Sequence, residues 1–370
     1  MKKRIFLSPP CFGAEERAAV SAAFDSGYVA PCGPMVDELE RRLAELSGRQ
    51  FAVAVSSGTE ALNLAMEHLG VDGSWTVVAP SLTFIASVAP AFHRGAEIVF
   101  VDSAPDGNID VRLLDETLAD VAGRGRKTLF VSVDLYGRCC GQDALAAICE
   151  KRGAVWISDS AEAVGATDRG RSAGSGALAA VYSFNGNKIV TTSGGGALAT
   201  DSEEMAAHVR KLSQQSREPV VWYEHKEAGY NCRMSNILAS IGLAQLAKLP
   251  RFIEARRVLR EKYAALFAGS GVALLPPVEG ENFWMTVALA GSERERDAMA
   301  AALAADGIES RPVWKPMHLQ PVFRGCRCAG GSVSEDLFRR GICLPSGSGL
   351  TPEEWERISR ALAPFQSHAV

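Results

Sequence analysis

Short runs of continuous apolar residues, each followed by a stretch of helical length, constrain this chain more than any other feature. Phe51-Ala52-Val53-Ala54-Val55 reads as a strand buried on both faces. Ser56-Ser57-Gly58-Thr59 turns the chain into a helical segment over 60–69, which Gly70 stops. A strand over 75–79 follows, closed by Pro80, then a helix over 85–93 and a strand over 97–101. The alternation continues with a helix over 113–121, a strand over 128–133, a helix over 143–151 and a strand over 154–158. Strands that are apolar throughout, rather than at alternate positions, must be covered on both sides. The pattern therefore predicts a mostly parallel sheet between layers of helices.

The pattern changes after Asp159. Segments 179–184 and 197–200 read as strands joined by a link too short for a crossover helix, which predicts an antiparallel pair. Helical pattern returns over 202–213 and 237–267, and Gly269-Ser270-Gly271 and Pro276-Pro277 then punctuate the chain. The expected fold is α/β, with a large mixed, mostly parallel sheet in a domain over residues 1–250 and a smaller C-terminal α/β domain over 251–370.

Charge and hydropathy exclude several classes of function. The 39 basic and 43 acidic residues leave a net charge of -4, without the basic footprint of a nucleic-acid binder. No apolar run approaches the roughly 18 residues of a membrane span. The basic start, Met1-Lys2-Lys3-Arg4, leads into apolar residues that stop at Ser8-Pro9-Pro10, short of the about 7–15 residues of a secretory signal core. These readings predict a cytoplasmic protein that binds neither nucleic acid nor membrane. The cysteines number nine, an odd count, and are scattered, which fits reduced thiols rather than a disulfide framework. Cys139-Cys140 and Cys326-x-Cys328 lack a second pair or a histidine at zinc-site spacing, so no metal site is expected.

Three segments carry candidate chemistry. In Tyr182-Ser183-Phe184-Asn185-Gly186-Asn187-Lys188 a strand ends in a polar loop that presents one lysine, followed by Gly194-Gly195-Gly196. A lysine that forms Schiff bases needs a tuned environment and a fixed position. By itself the stretch serves equally as a turn with a surface lysine. Asp159 closes a buried strand at the edge where open α/β sheets bind ligands. A carboxylate there can pair with a pyridine nitrogen, or simply cap a helix. Ser56-Ser57-Gly58-Thr59 joins a strand to a helix, where free N–H groups favour phosphate. It lacks the glycines of a dinucleotide fingerprint and the Lys of a Walker loop, and alone it is a capped turn.

Taken in order, these segments resemble the DegT/DnrJ/EryC1/StrS sugar aminotransferases, within the fold-type I pyridoxal-phosphate enzymes. The resemblance runs nearly end to end. It includes Ser57-Gly58-Thr59-Glu60-Ala61-Leu62, Pro80-Ser81-Leu82-Thr83-Phe84, Leu135-Tyr136-Gly137, Asp159 to Glu162, Ser183-Phe184 with Lys188, and Gly229-Tyr230-Asn231-Cys232-Arg233. It implies pyridoxal 5'-phosphate as cofactor, with Lys188 as the Schiff-base lysine and proton carrier. It further implies that Asp159 holds the pyridinium nitrogen and Phe84 stacks on the ring. Gly58, Thr59 and Ser183 would bind the phosphate, helped by Asn231 of a second subunit in a homodimer with shared active sites. Glu162 would sit by the phenolic oxygen, where the wider family more often has Gln. The chain departs from the family at Asp134, where many relatives have His, and at Cys232, where an aromatic is frequent.

The two ends of the chain narrow the resemblance. Leu7-Ser8-Pro9-Pro10, Ser26 to Pro31, Glu309 to His318 and Gly341 to Gly347 are similar to the C4 aminotransferases of bacillosamine biosynthesis. Those act on UDP-2-acetamido-2,6-dideoxy-4-hexulose with L-glutamate as donor. By that likeness Gly27, Tyr28, Val29, Ala30, Trp314, Lys315, Pro316, Met317 and His318 would line the nucleotide-sugar pocket. Arg311, Lys315 and His318 form a cationic set suited to a diphosphate, and Trp314 offers a flat face. A loop with a core tryptophan and solvated charges is the plain alternative. The sugar dehydratases of the same family replace the lysine with histidine, so Lys188 argues against that chemistry. The set of Lys188, Asp159 and Asn231 argues against a non-catalytic member.

Overall fold

The computed structural model describes residues 3–366; Met1, Lys2 and residues 367–370, which the domain bounds and the basic start include, lie outside them. Two helices that the apolar pattern did not mark, α1 (Ala14–Asp25) and α2 (Pro34–Ser47), precede the first strand. The alternating segments then form β1 (Phe51–Val55), α3 (Gly58–His68), β2 (Trp75–Pro80), α4 (Ala89–His93), β3 (Glu97–Val101), α5 (Val111–Ala122), β4 (Lys127–Val133), α6 (Gln142–Arg152) and β5 (Val155–Asp159). The helix expected over 85–93 is split into a short 3-10 turn, Ile85–Ser87, and α4, because Pro90 suits only a helix start. A small hairpin of β6 (Thr167–Asp168) and β7 (Arg171–Ser172) leads to β8 (Ala179–Ser183) and β9 (Gly196–Thr200), which pair antiparallel as their short link requires.

Helices α7 (Glu203–Ser213), α8 (Asn236–Leu246) and α9 (Leu249–Leu266) follow. The helical stretch expected over 237–267 breaks at Ala247-Lys248, just ahead of Pro250 in the first turn of α9. The rest of the chain comprises β10 (Ala273–Leu274), β11 (Thr286–Leu289), α10 (Glu293–Ala305), β12 (Arg311–Pro312), β13 (Arg327–Ala329), α11 (Ser332–Arg340), β14 (Gly341–Leu344) and α12 (Pro352–Leu362).

The eight-stranded sheet has the order β1-β9-β8-β5-β4-β2-β3-β13. Every pairing from β8 to β13 is parallel, and only β9 runs against its neighbours. The carboxyl ends of β1, β2, β4, β5 and β8 therefore share one edge, and β9 starts there. One face of the sheet packs Val53, Val55, Val77 and Val131 on α3 and α7, and the other packs Val78, Phe130 and Trp156 on α5 and α6. Burying each such side chain contributes roughly 1.5–3 kcal/mol.

The four-stranded sheet, β10-β11-β14-β12, is antiparallel, and its core joins Ala288, Ile342 and Leu344 to Met299, Leu303 and Ile358. We propose that the two domains divide near residue 250, at the start of α9. The chain crosses between them at two further places. Ile5 bridges Ile308 beside the small sheet, and β13 extends the large sheet beyond β3.

Candidate active site

A cavity of about 1120 Å3 opens at the carboxyl edge of the large sheet. The turn after β1 contributes Ser56, Ser57, Gly58 and Thr59 to its wall. Ser57 caps α3, its Oγ accepting the Glu60 N–H at 3.1 Å. The first N–H groups of α3, on Gly58 and Thr59, have no intrahelical acceptor and lie at the positive end of the helix dipole. Ser183, at the end of β8, borders the same spot: a Cβ on Gly58 would lie 3.2 Å from Ser183 Cβ. Gly196 at the start of β9 permits this approach, since a Cβ there would be 2.3 Å from Gly58 N. Together these groups form an anion cradle.

Asp159 ends β5 and is buried at the cavity wall. Its hydrogen-bond donors are neutral. Ser87 Oγ donates to Oδ2 at 2.6 Å, and the Ala161 N–H reaches Oδ1 at 3.2 Å. Burial raises the Asp159 carboxyl above its ordinary range, against the opposing pull of Ser87, Ala161 and the nearby Lys188 ammonium. A carboxylate so placed gains from a cationic partner, which a protonated pyridine nitrogen supplies.

Lys188 Nζ lies 3.3 Å from Glu162 Oε1 and 4.3 Å from the centroid of the Trp284 ring. The other carboxylate oxygen, Glu162 Oε2, accepts the Tyr136 N–H at 2.7 Å. Tyr136 achieves this with φ of 56°, a left-handed conformation that is costly for a bulky residue. Burial outweighs the ammonium and pushes the Glu162 carboxyl up to about 6.

The strained turn is locked by the segment between β10 and β11 of the small sheet. Asn282, fully buried, donates from Nδ2 to the carbonyls of Glu162 at 2.8 Å and Val164 at 3.0 Å. Its N–H bonds the Gly137 carbonyl at 3.0 Å, and its Oδ1 accepts the Trp284 N–H at 2.9 Å. Trp284 Nε1 in turn donates to the Asn187 carbonyl at 2.9 Å, just before Lys188.

Phe84 projects into the opening and is 57% exposed, leaving a ring face free at the cavity. Its ring centroid is 5.7 Å from that of Trp314, which lies 5.4 Å from Tyr136. Arg311 and Lys315 line the same mouth.

The expected residues thus divide. Gly58, Thr59, Phe84, Asp159, Glu162, Ser183 and Lys188 converge on one cavity, as do Trp314 and Lys315. Pro316, Met317 and His318 do not line it. Met317 is buried, with its N–H on the Ser81 carbonyl at 2.7 Å. His318 bridges Ser81 Oγ at 2.6 Å and Glu335 at 3.0 Å. Gly27, Tyr28, Val29 and Ala30 are exposed beside α8, where Asn236 bonds the carbonyls of Tyr28 and Ala30. Asn231 is likewise exposed and lies opposite Gln214, outside this cavity.

Sequence reasoning assigned no role to Ser87, Asn282 or Trp284. Ser87 carried a weak signal, one turn after Phe84. Asn282 and Trp284 carried none, being more than ninety positions from Lys188.

A helix start suited to an anion, a buried carboxylate whose hydrogen-bond donors are neutral, an exposed aromatic face and a held lysine fit the groups of pyridoxal phosphate. A model of the DegT/DnrJ/EryC1/StrS aminotransferase family matches residues 10–363. The chain belongs to this aminotransferase family. Among its relatives, EpsN of Bacillus subtilis (strain 168), named as a pyridoxal phosphate-dependent aminotransferase, is 40% identical over 371 residues, covering 98% of this chain and 96% of EpsN. GDP-perosamine synthase of Caulobacter vibrioides is 35% identical, covering 97% of each chain. The solved structure of Spr1654 from Streptococcus pneumoniae in its PLP form, described as a sugar aminotransferase, superposes with a TM-score of 0.90 at 28% identity and covers 98% of both chains. The protein is accordingly a pyridoxal-phosphate-dependent aminotransferase, and its large mixed sheet with a small C-terminal sheet is the architecture of those enzymes. Among the described residues, no helix is long and apolar enough to cross a membrane.

Proposed function

We propose that this aminotransferase moves the amino group of L-glutamate to C4 of a UDP-linked 4-keto-6-deoxy sugar, UDP-2-acetamido-2,6-dideoxy-4-hexulose. The product is a UDP-4-amino sugar of the bacillosamine type. The observation that carries the nucleotide-sugar reading is that exposed Arg311 and Lys315 line, with Trp314, the same cavity as Lys188. Two cations suit a diphosphate, and the indole offers a face to a sugar or base. The volume of about 1120 Å3 is large enough for a cofactor and a nucleotide sugar together.

The residues have complementary tasks. Pyridoxal phosphate, when bound, supplies an electron sink for the pair left when a proton departs the carbon bearing the amino group. The start of α3 and Ser183 would hold its phosphate, Phe84 would cover a ring face, and Asp159 would keep a proton on the ring nitrogen. Lys188 Nζ takes the proton from Cα of the donor and returns it on the other side of the transfer, as a positioned base and then acid. Glutamate would give up its amino group and leave as 2-oxoglutarate with an oxygen from water; the keto sugar would take up that amino group, its carbonyl oxygen leaving as water, as Lys188 moves the proton in the reverse direction.

We further propose a homodimer in which Asn231 and the segment Gly27, Tyr28, Val29 and Ala30 complete the cavity of the partner. Their exposure, and their position outside the cavity of their own chain, support that reading. A guanosine diphosphate sugar is the second reading, favoured by the likeness to GDP-perosamine synthase. Incubating the loaded enzyme with L-glutamate and either the UDP- or the GDP-linked 4-keto sugar separates the two. Amination of the UDP sugar at C4, lost in Lys188→Ala, is the expected result. Turnover of the GDP sugar alone would overturn the assignment.

A further inference from the structure

The buried stripe of α9 is Leu249, Phe252, Arg256, Leu259 and Tyr263. Leu249 and Phe252 pack with the large-sheet core, while Leu259 and Tyr263 pack with the small-sheet core. Arg256 occupies the centre of the stripe, where the helical spacing calls for an apolar side chain, and it is 2% exposed.

Its partners are all neutral. Nε donates to Ser348 Oγ at 2.8 Å, Nη1 to the Trp284 carbonyl at 2.5 Å and Nη2 to Ser8 Oγ at 3.2 Å. Other deeply buried arginines each face a carboxylate: Arg49 meets Asp201, Arg138 meets Glu281, Arg233 meets Glu40 and Arg296 meets Glu293. Among the described residues Arg256 has no ion-pair partner. Burial lowers its guanidinium to about 9. An uncompensated buried charge opposes stability, so stability does not account for its presence.

Two of its partners converge on a single atom. Ser8 Oγ donates to the Asn187 carbonyl at 2.8 Å, and Trp284 Nε1 donates to the same oxygen at 2.9 Å. Asn187 immediately precedes Lys188, whose ammonium rests on the Trp284 ring. We propose that Arg256 is a positioning residue for Lys188: its guanidinium fixes Ser8 and Trp284, which grip the Asn187 carbonyl and so set the backbone from which Lys188 reaches the reacting atoms. The planar fork explains the choice of residue. Lysine cannot hold three acceptors in these directions, and methionine fills the volume without donating.

The inference rests on Lys188 as the reacting amine and is independent of the sugar. The test uses the full-length, cofactor-loaded protein and the variants Arg256→Met and Ser8→Ala. It measures kcat and KM for the amino donor, the pH titration of the cofactor's visible band, and thermal unfolding. Arg256→Met is expected to lower kcat about 10–100-fold while KM stays within about threefold, the signature of a displaced catalytic group. The midpoint of the band titration should also move. Ser8→Ala should act in the same direction with smaller amplitude, because the Trp284 grip remains. If Arg256→Met fails to fold, Ser8→Ala decides alone. Wild-type kcat and titration in a folded variant, or losses that track only the folded fraction, would overturn the positioning role. Lys188→Ala is the control. Retention of the band and turnover there removes the reading on which the inference rests, whereas its inactivity beside unaltered Arg256 and Ser8 variants sinks the inference alone.

Discussion

Lys188 and Glu162 face each other at 3.3 Å across the cavity floor, and the carboxylate is held in place from behind by the Tyr136 N–H. Above about pH 6 the ionised carboxylate pairs with the ammonium; below it the carboxyl takes a proton and the pair is lost. Glu162→Gln keeps an acceptor for Tyr136 without the titration. A limb with a midpoint near 6 should vanish from the pH dependence of the cofactor's visible band, while turnover at neutral pH stays within about tenfold. An unchanged limb would assign it to another group.

Asp159→Asn should fold, since the amide oxygen can still accept from Ser87 and no buried ion pair is broken. Turnover should fall on the order of 10²–10³, the scale of losing one fixed electrostatic partner. Steady-state rates in excess cofactor, read beside thermal unfolding, check this. Full activity would separate Asp159 from the ring nitrogen.

Asp134 lies behind Asp159, buried, accepting from Ser160 Oγ at 2.6 Å, Ser158 Oγ at 3.3 Å and the Cys140 N–H at 2.9 Å. Burial raises its carboxyl from 3.8 to about 6. Between those values the folded state binds more protons than the unfolded chain, so the contribution of Asp134 to stability falls as pH rises through this window. By neutral pH the loss is on the order of 2–3 kcal/mol. Asp134→Asn should flatten the dependence between about pH 4 and 6 and raise the unfolding midpoint at pH 7. Thermal unfolding across that range measures it, and an equally steep variant would contradict the assignment.

Gly196→Ala should destabilise the protein by about 1–3 kcal/mol, because the new Cβ overlaps Gly58 N and forces β9 from the start of α3. The displaced cradle should also bind the cofactor more weakly. Equilibrium dialysis and thermal unfolding together test this; tight cofactor binding in a destabilised variant would place the phosphate elsewhere.

Much of the molecule was legible in the chain order. Continuous apolar strands with helical links can satisfy their backbone and bury both faces only as a covered parallel sheet, and the short link between β8 and β9 forces an antiparallel return. Asp159, Gly58 and Lys188 follow because they terminate or border strands whose ends share an edge. The placement of β13 on the large sheet was not legible, since a three-residue strand carries little periodicity. Nor was the break between α8 and α9, because a continuous helical pattern conceals a two-residue interruption.

The local pattern of residues determined the sheet, the family and most of the side chains that line the cavity, because each depends on short-range periodicity or on an ordered set of motifs. Only the tertiary structure decided what holds them. Tyr136 adopts its strained turn because Asn282 locks it, Lys188 rests on Trp284, and both depend on a stretch of chain more than ninety residues from Lys188. Arg256 shows the difference most sharply. By spacing it is one position in an amphipathic helix; in three dimensions it is a buried charge without a counter-ion among the described residues, and two of the groups it binds converge on the residue before Lys188. Such convergence depends on which distant segments become neighbours, and no local feature of the sequence encodes that.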